Sequence, residues 1–274
     1  MSIHPTAIID RHAEIDPTAE IGPYVVIDGP VRIGARTRVM ANAWLTGWTT
    51  IGEDCTIYPF ASIGAPPQDF HYTGERSYCR LGNRVTVREG VTIHRGTQPE
   101  SETVIGDDCN LLVQVHIGHN VVLNKGVTVI VAAALAGHVE VHDKAVLSSN
   151  AVVHQFVRIG ELAMIAANAR VGMDVPPFMM VHGESAIVAH NVVGMRRAGY
   201  DREAIHEIRE AYRLLYRSGQ TFRRSVEQLA ERVQTPAGQK LVAFLTAPSK
   251  RGIAGGGFGH RPRSGDVPAS VPDA

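Results

Sequence analysis

From Ile3 onward every sixth residue is aliphatic: Ile9, Ile15, Ile21, Ile27, Ile33, Val39, Leu45, Ile51, Ile57 and Ile63. The series stops, returns in the same phase at Leu81, Val87 and Ile93, and stops again. It then runs from Ile105 through Leu111, Ile117, Leu123, Val129, Leu135, Val141, Leu147, Val153, Ile159 and Ile165 to Val171. An α-helix cannot give this pattern, because its apolar stripe recurs every 3.6 residues. The glycines that often follow the aliphatic position, such as Gly34, Gly52, Gly106 and Gly118, would weaken a helix throughout. A six-residue period with a small residue after the apolar one fits a short strand and a tight turn. Three such units close a triangular coil of about 18 residues. Stacked coils pair as parallel strands about 4.8 Å apart, so the aliphatic ladder points inward and each coil buries its face against the next.

The fold read from the period is mainly β, a parallel β-helix over residues 1–177. The two breaks, Gly64 to Arg80 and Gly96 to Thr103, are loops thrown out of the prism without loss of phase, and long loops on a rigid scaffold often carry function. The period says nothing about the hand of the coil. The pattern ends at Val175-Pro176-Pro177, since consecutive prolines cannot sustain ladder hydrogen bonds. A connecting segment, 178–200, leads to a small α-helical domain over 201–246. Asp201 is the N-cap of a helix from Arg202 to Arg217 with Gly219 as its stop. Further helices are expected over Thr221–Val233 and Ala237–Leu245. Residues 247–274, rich in Gly, Pro and Ser, are expected to be disordered.

Bulk properties narrow the functional classes. With 27 Lys and Arg against 27 Asp and Glu, the chain lacks the field of a nucleic-acid binder. Between Arg196 and Arg232 arginines outnumber acidic residues, which fits either an acidic partner or a solvated helical face. Cys55, Cys79 and Cys109 show no metal-ligand spacing and are read as structural thiols in a reducing compartment. The N-terminus has no basic segment followed by an apolar one, and the longest mostly apolar stretch, Val127 to Gly137, is too short to span a bilayer. The expectation is a cytoplasmic protein with no membrane span.

Residues 18 apart in an unbroken run stack on successive coils. Ile117, Leu135 and Val153 form such a column, which puts His119, Gly137 and Gln155 at the same offset, with His138 and His154 one position to either side. His116 precedes Ile117. A single histidine on a coil edge is ordinarily a solvated residue, the reading adopted for His4, His12 and His142. Histidines clustered on adjacent rungs suit proton transfer near neutral pH, and neighbouring imidazoles discourage one another's protonation. Gly137 can present its backbone N–H to a developing oxyanion. A three-histidine metal site is the rival chemistry, but the spacing of His116 and His119 does not match that of hexapeptide-repeat carbonic anhydrases; no metal is expected.

Several segments carry a resemblance: Gln68-Asp69, Ile93-His94-Arg95-Gly96-Thr97, His116-Ile117-Gly118-His119, Leu135-Ala136-Gly137-His138, His154-Gln155-Phe156, Asp174-Val175-Pro176-Pro177 and Arg202-Glu203-Ala204-Ile205. In colinear order over roughly residues 3 to 250, the chain resembles the acyl-carrier-protein-dependent UDP-N-acetylglucosamine 3-O-acyltransferases of lipid A biosynthesis. The resemblance implies a left-handed coil, a homotrimer with sites between subunits, and transfer of a 3-hydroxyacyl group from acyl-carrier protein to the sugar 3-hydroxyl. It implies no cofactor, the phosphopantetheine thioester being a substrate. His119 maps to the general base and Gly137 to the oxyanion donor. Asp69, His94, His116, His138, His154 and Gln155 map to substrate binding, and Asn191 and Arg197 to the sugar-nucleotide end.

The sequence departs from the family pattern in three places. Asn120 replaces a common acidic residue after the catalytic histidine. Val193 and Ala198 replace an acid and an arginine near the nucleotide. Ala166 and Ala167 stand where some relatives have glycines at the floor of the acyl groove, which implies a shorter acyl chain. Alternatives at this stage are a relative acting on a different nucleotide sugar or amino group, and a non-catalytic trimeric scaffold.

Overall fold

The computed structural model describes residues 2–256. The aliphatic hexads build three parallel sheets, and each coil gives one short strand to each face of a triangular prism. The first face carries Leu111, Val129 and Leu147, the second Ile117, Leu135 and Val153, and the third Leu123, Val141 and Ile159. Register follows the period: Ile117 pairs with Leu135 and Leu135 with Val153. Across the breaks the phase holds, Ile63 pairing with Ile93 and Ile93 with Ile117. The prism is a left-handed parallel β-helix.

Inside it the aliphatic ladder is buried from Ile21 to Val171. A second inward ladder of small residues lies two positions earlier in each hexad, among them Ala43, Cys55, Cys79, Cys109, Ala133 and Ala151. The three cysteines are free thiols filling these slots. Burial pushes Cys79 up to about 12 and Cys109 up to about 11, so both are protonated and unreactive.

Most corners are turned by one residue in the left-handed region, three positions after the aliphatic one. Asn120 (φ 58°), His138 (φ 59°) and Phe156 (φ 65°) do so in one column. Side chains rarely adopt this conformation at a cost below about 1 kcal/mol. Here cross-coil hydrogen bonds hold it: the His138 amide donates to His119 O at 3.0 Å and the Phe156 amide to Gly137 O at 3.1 Å.

Strands Met179–His182 and Ala186–His190 pair antiparallel and close the C-terminal end of the prism, with Phe178 fully buried beneath them. Four helices follow: α1 (Val192–Arg197), α2 (Arg202–Arg217), α3 (Phe222–Arg232) and α4 (Pro236–Thr246). The Asp201 carboxylate caps α2 by accepting from Ala204 N at 2.8 Å. Helix α1 and the hairpin had no counterpart in the hexad reading.

Residues 247–256, expected to be disordered, fold back onto the prism instead. The Asp174 amide donates to Gly252 O and the Ala254 amide to Asp174 O, both at 2.8 Å, and Ala254 is buried. The Asp174 carboxylate, fully buried, accepts from Arg158 N and Nε at 2.8 and 2.7 Å, and the Arg158 guanidinium lies 4.5 Å from the Phe244 ring of α4. One aspartate thus ties prism, helices and C-terminal segment together, an anchoring that composition does not reveal. The rest of the expected disorder, 257–274, lies outside the described residues.

Candidate active site

Both loops leave the prism at the corner between its second and third faces, and the histidines stand on that same corner. His94 ends a second-face strand, and His116, one rung on, lies edge-to-face with it at 4.9 Å between ring centroids. His119 and His138 meet edge-to-face at 5.2 Å. His138 in turn stacks on Phe156 at 4.8 Å, with the rings 16° from parallel. The cluster therefore consists of His94, His116, His119 and His138. His154 and Gln155 lie on the same corner but are exposed, and His154 makes no ring contact with the cluster among the described residues, its Nδ1 resting 3.2 Å from Gln155 O.

The state of the His119 ring follows from its neighbours. The buried Thr97 donates twice to Asn120 Oδ1, from its amide at 3.1 Å and its hydroxyl at 3.0 Å. That identifies the Asn120 atom as oxygen, an acceptor with no proton to give. His119 Nδ1 stands 3.0 Å from the same oxygen, so Nδ1 carries the proton and Nε2 keeps its lone pair. The Asn120 backbone is fixed as well, its amide donating to Thr103 Oγ1 at 2.8 Å. Thr97 belongs to the second loop, which therefore sets the tautomer, and Thr103 lies in the strand that follows it.

The first loop supplies charge. Asp69 Oδ2 lies 3.8 Å from His119 Nε2, while Oδ1 accepts from the His71 amide at 2.9 Å and faces His71 Nδ1 at 3.0 Å. The His71 amide, first among these, holds the Asp69 carboxyl below its usual range, so it is anionic at neutral pH. Arg95 pins this loop by donating to Gly64 O at 2.9 Å and to the Tyr72 hydroxyl at 2.8 Å. Asn120 adds no charge beside Nδ1, but Asp69 places one opposite Nε2.

The surrounding imidazoles are kept neutral. Burial, with the nearby His116 and His119 adding to it, brings His94 down to about 4. Burial likewise lowers His116 and His138, with His119 contributing to both. Gly137 is buried beneath the His119 ring, and a Cβ built there would collide with ring atoms Cε1 and Nε2. Its N–H makes no hydrogen bond among the described residues, leaving a donor beside the His119 ring. Among the same residues no three His, Cys, Asp or Glu side chains are arranged to hold a metal.

The other expected site residues stand on different edges. Ala166 and Ala167 follow a first-face strand and lie at the first-to-second corner, Ala166 donating its amide to Val181 O. Asn191 is buried at the third-to-first corner, where Nδ2 donates to Leu162 O and Oδ1 caps α1 by accepting from Gly194 N, both at 2.8 Å. Arg197 is exposed in the last turn of α1. One chain alone does not bring these groups to the histidines.

Residues 174–254 match the family described as Udp N-acetylglucosamine O-acyltransferase, Domain 2. A curated relative from Thermodesulfovibrio yellowstonii, an acyl-[acyl-carrier-protein]–UDP-N-acetylglucosamine O-acyltransferase, is 42% identical over 254 residues, covering 92% of this chain and 98% of the relative. One of the same name from Verminephrobacter eiseniae is 41% identical over 258 residues, with the same coverage. The solved UDP-N-acetylglucosamine acyltransferase of Francisella novicida superposes with a TM-score of 0.89 at 34% identity, covering 97% of this chain and 96% of that one.

This chain belongs to the UDP-N-acetylglucosamine O-acyltransferase family. It is an acyltransferase. Beside the cluster stand Thr97, bonded to Asn120, Phe156, stacked on His138, and Lys250, over the Phe156 ring; the hexad reading passed over all three. Thr97 and Phe156 stood in the motifs; only the αL column 120, 138, 156 gave Phe156 a place.

Proposed function

We propose that this chain transfers a 3-hydroxyacyl group from acyl-carrier protein to the 3-hydroxyl of UDP-N-acetylglucosamine, with His119 as general base, as the first step of lipid A biosynthesis. The supporting observation is the Thr97–Asn120–His119 chain, which leaves Nε2 as the free base. Nε2 takes the proton of the sugar hydroxyl as its oxygen attacks the thioester carbonyl. The Gly137 N–H receives the oxyanion of the tetrahedral intermediate. The intermediate collapses, the C–S bond breaks, and the imidazolium returns its proton to the departing thiolate. No acyl-enzyme forms and no cofactor is needed. The Asp69 carboxylate favours the transient imidazolium and can accept a hydrogen bond from a sugar hydroxyl. His94, His116, His138, His154 and Gln155 shape the acceptor pocket, Asn191 and Arg197 serve the nucleotide end, and Ala166 and Ala167 floor the acyl groove.

The working unit is a homotrimer with its sites between copies, because the three sets of groups lie on three edges of one prism. No helix among the described residues is long and apolar enough to cross a membrane, and the three reduced thiols suit the cytoplasm. The test is an acyl-transfer assay with carriers of several chain lengths and a panel of UDP-sugars, run beside His119→Ala. The variant should lose at least about 10²-fold in kcat. Turnover that survives the substitution removes His119 from the role, and a rate that ignores chain length removes Ala166 and Ala167 from theirs.

A further inference from the structure

The C-terminal segment brings a cation to the histidine corner. Lys250 projects from a built turn: Ser249 Oγ accepts from the amides of Arg251 and Gly252 at 3.2 and 2.8 Å, and Arg251 Nε donates to Gly172 O at 3.0 Å. With the backbone anchored at Asp174 on one side, the turn holds Lys250 Nζ 4.4 Å from the centroid of the Phe156 ring. Phe156 is the ring on which His138 stacks, and His138 is the ring that His119 meets. The Lys250 charge is also felt at His138, where it adds to burial in disfavouring protonation.

The ammonium has no carboxylate and no hydrogen-bond acceptor among the described residues, and its side chain is exposed. Arg95, on the same corner, is already engaged by Gly64 O and Tyr72. A cation seated on an aromatic face beside the histidine corner, lacking a counter-ion among the described residues, is suited to an anionic group arriving with a substrate. Both substrates of the proposed reaction carry phosphate, as the diphosphate of the sugar nucleotide and the phosphodiester of the carrier's pantetheine arm.

We propose that Lys250 binds a phosphate oxyanion of one of these two substrates, so that the segment after α4 supplies a substrate-positioning residue. The proposal rests on the acyl-transfer reading above. The experiment compares wild type, Lys250→Met and Lys250→Arg, with KM measured separately for the acyl carrier and the sugar nucleotide. In the methionine variant one KM should rise about 5- to 20-fold with kcat within about threefold, and arginine should restore most of it. Which KM rises identifies the phosphate. A second arm uses S-acyl-pantetheine and S-acyl-4′-phosphopantetheine as minimal donors: if the arm phosphate is the ligand, the wild-type preference for the phosphorylated donor disappears in Lys250→Met. Both KM values within twofold of wild type overturn the proposal. So does a loss in kcat and both KM values together that arginine does not rescue, since that marks a structural role. A wild-type protein that turns over neither donor overturns the acyl-transfer reading, and that failure shows in the wild-type arm alone.

Discussion

Gly137→Ala isolates the packing that gives His119 its place. The φ of Gly137 lies outside the left-handed region, so alanine fits the backbone and the coil keeps its ladder. The added methyl, however, falls on the imidazole, with Cε1 and Nε2 nearest. The ring has little freedom to yield, being held 3.0 Å from Asn120 Oδ1 on one side and against His138 on the other. Restoring ordinary van der Waals contact displaces Nε2 by roughly 1 Å, and a misplacement of that size costs about 10²-fold in rate. That corresponds to about 2.7 kcal/mol of activation free energy. Steady-state kinetics should show the loss in kcat, with KM values within about twofold and a Tm close to wild type. The decisive arm is His119→Ala with and without Gly137→Ala. If the methyl acts through the ring, its effect shrinks to about threefold or less once the ring is gone. A single variant as active as wild type, or an equal loss in both backgrounds, refutes the reasoning.

Two further outcomes follow from buried charge. His94 is lowered to about 4 chiefly by burial, whereas an unfolded histidine titrates near 6.5. Between these values the unfolded chain holds the proton and the folded chain does not, so stability present at pH 7 is lost as pH falls through that interval. The loss from His94 is on the order of 3 kcal/mol; urea midpoints at pH 7 and pH 5 should differ, and His94→Gln should flatten the difference. Equal midpoints would mean that His94 is not held neutral. Asp174→Ala leaves the largely buried Arg158 guanidinium without its counter-charge and should cost about 3–5 kcal/mol, read as a fall in Tm, while an unchanged Tm would show that the ion pair does not hold the junction.

The hexad period made the prism legible because one aliphatic residue in six recurs in a single phase through three runs, and a period of six leaves no helical alternative. It also stacked His119, Gly137 and Gln155, whose spacing is the coil length, and set His138 one position beyond Gly137. His94 escaped that count: the second loop separates Ile93 from Ile117 by more than one coil, and only the phase across the break places His94 beside His116. The second loop hid the orientation of His119 too, because Thr97 reaches Asn120 from an excursion whose path no period describes. The stretch 247–256 read as disordered by composition, yet Gly252 (φ 72°) permits the turn and the backbone pairing with Asp174. Contacts of that kind depend on where the prism ends, which is a tertiary fact.

The prism also decides where a complete site can be. A rigid coil stack cannot bend one edge round to meet another, so the His119 corner, the Ala166–Ala167 corner and the Asn191 corner of one chain stay apart. In the proposed ring of three copies, each would place one edge against a different edge of the next, and the His119 corner of one copy would meet the Ala166–Ala167 corner of its neighbour through a heterologous interface that closes. The consequence is measurable by complementation. His119→Ala removes the proposed base, and Ala167→Trp fills the proposed groove at an exposed position on another edge, so each variant alone should be inactive. Mixed at equal amounts under conditions that exchange subunits, a site is intact only when its base comes from the Ala167→Trp chain and its groove wall from the His119→Ala chain. Random assembly gives that combination in about one quarter of sites, and about a quarter of wild-type activity should return. Were base and groove contributed by the same chain, no mixture of the two variants would recover any activity.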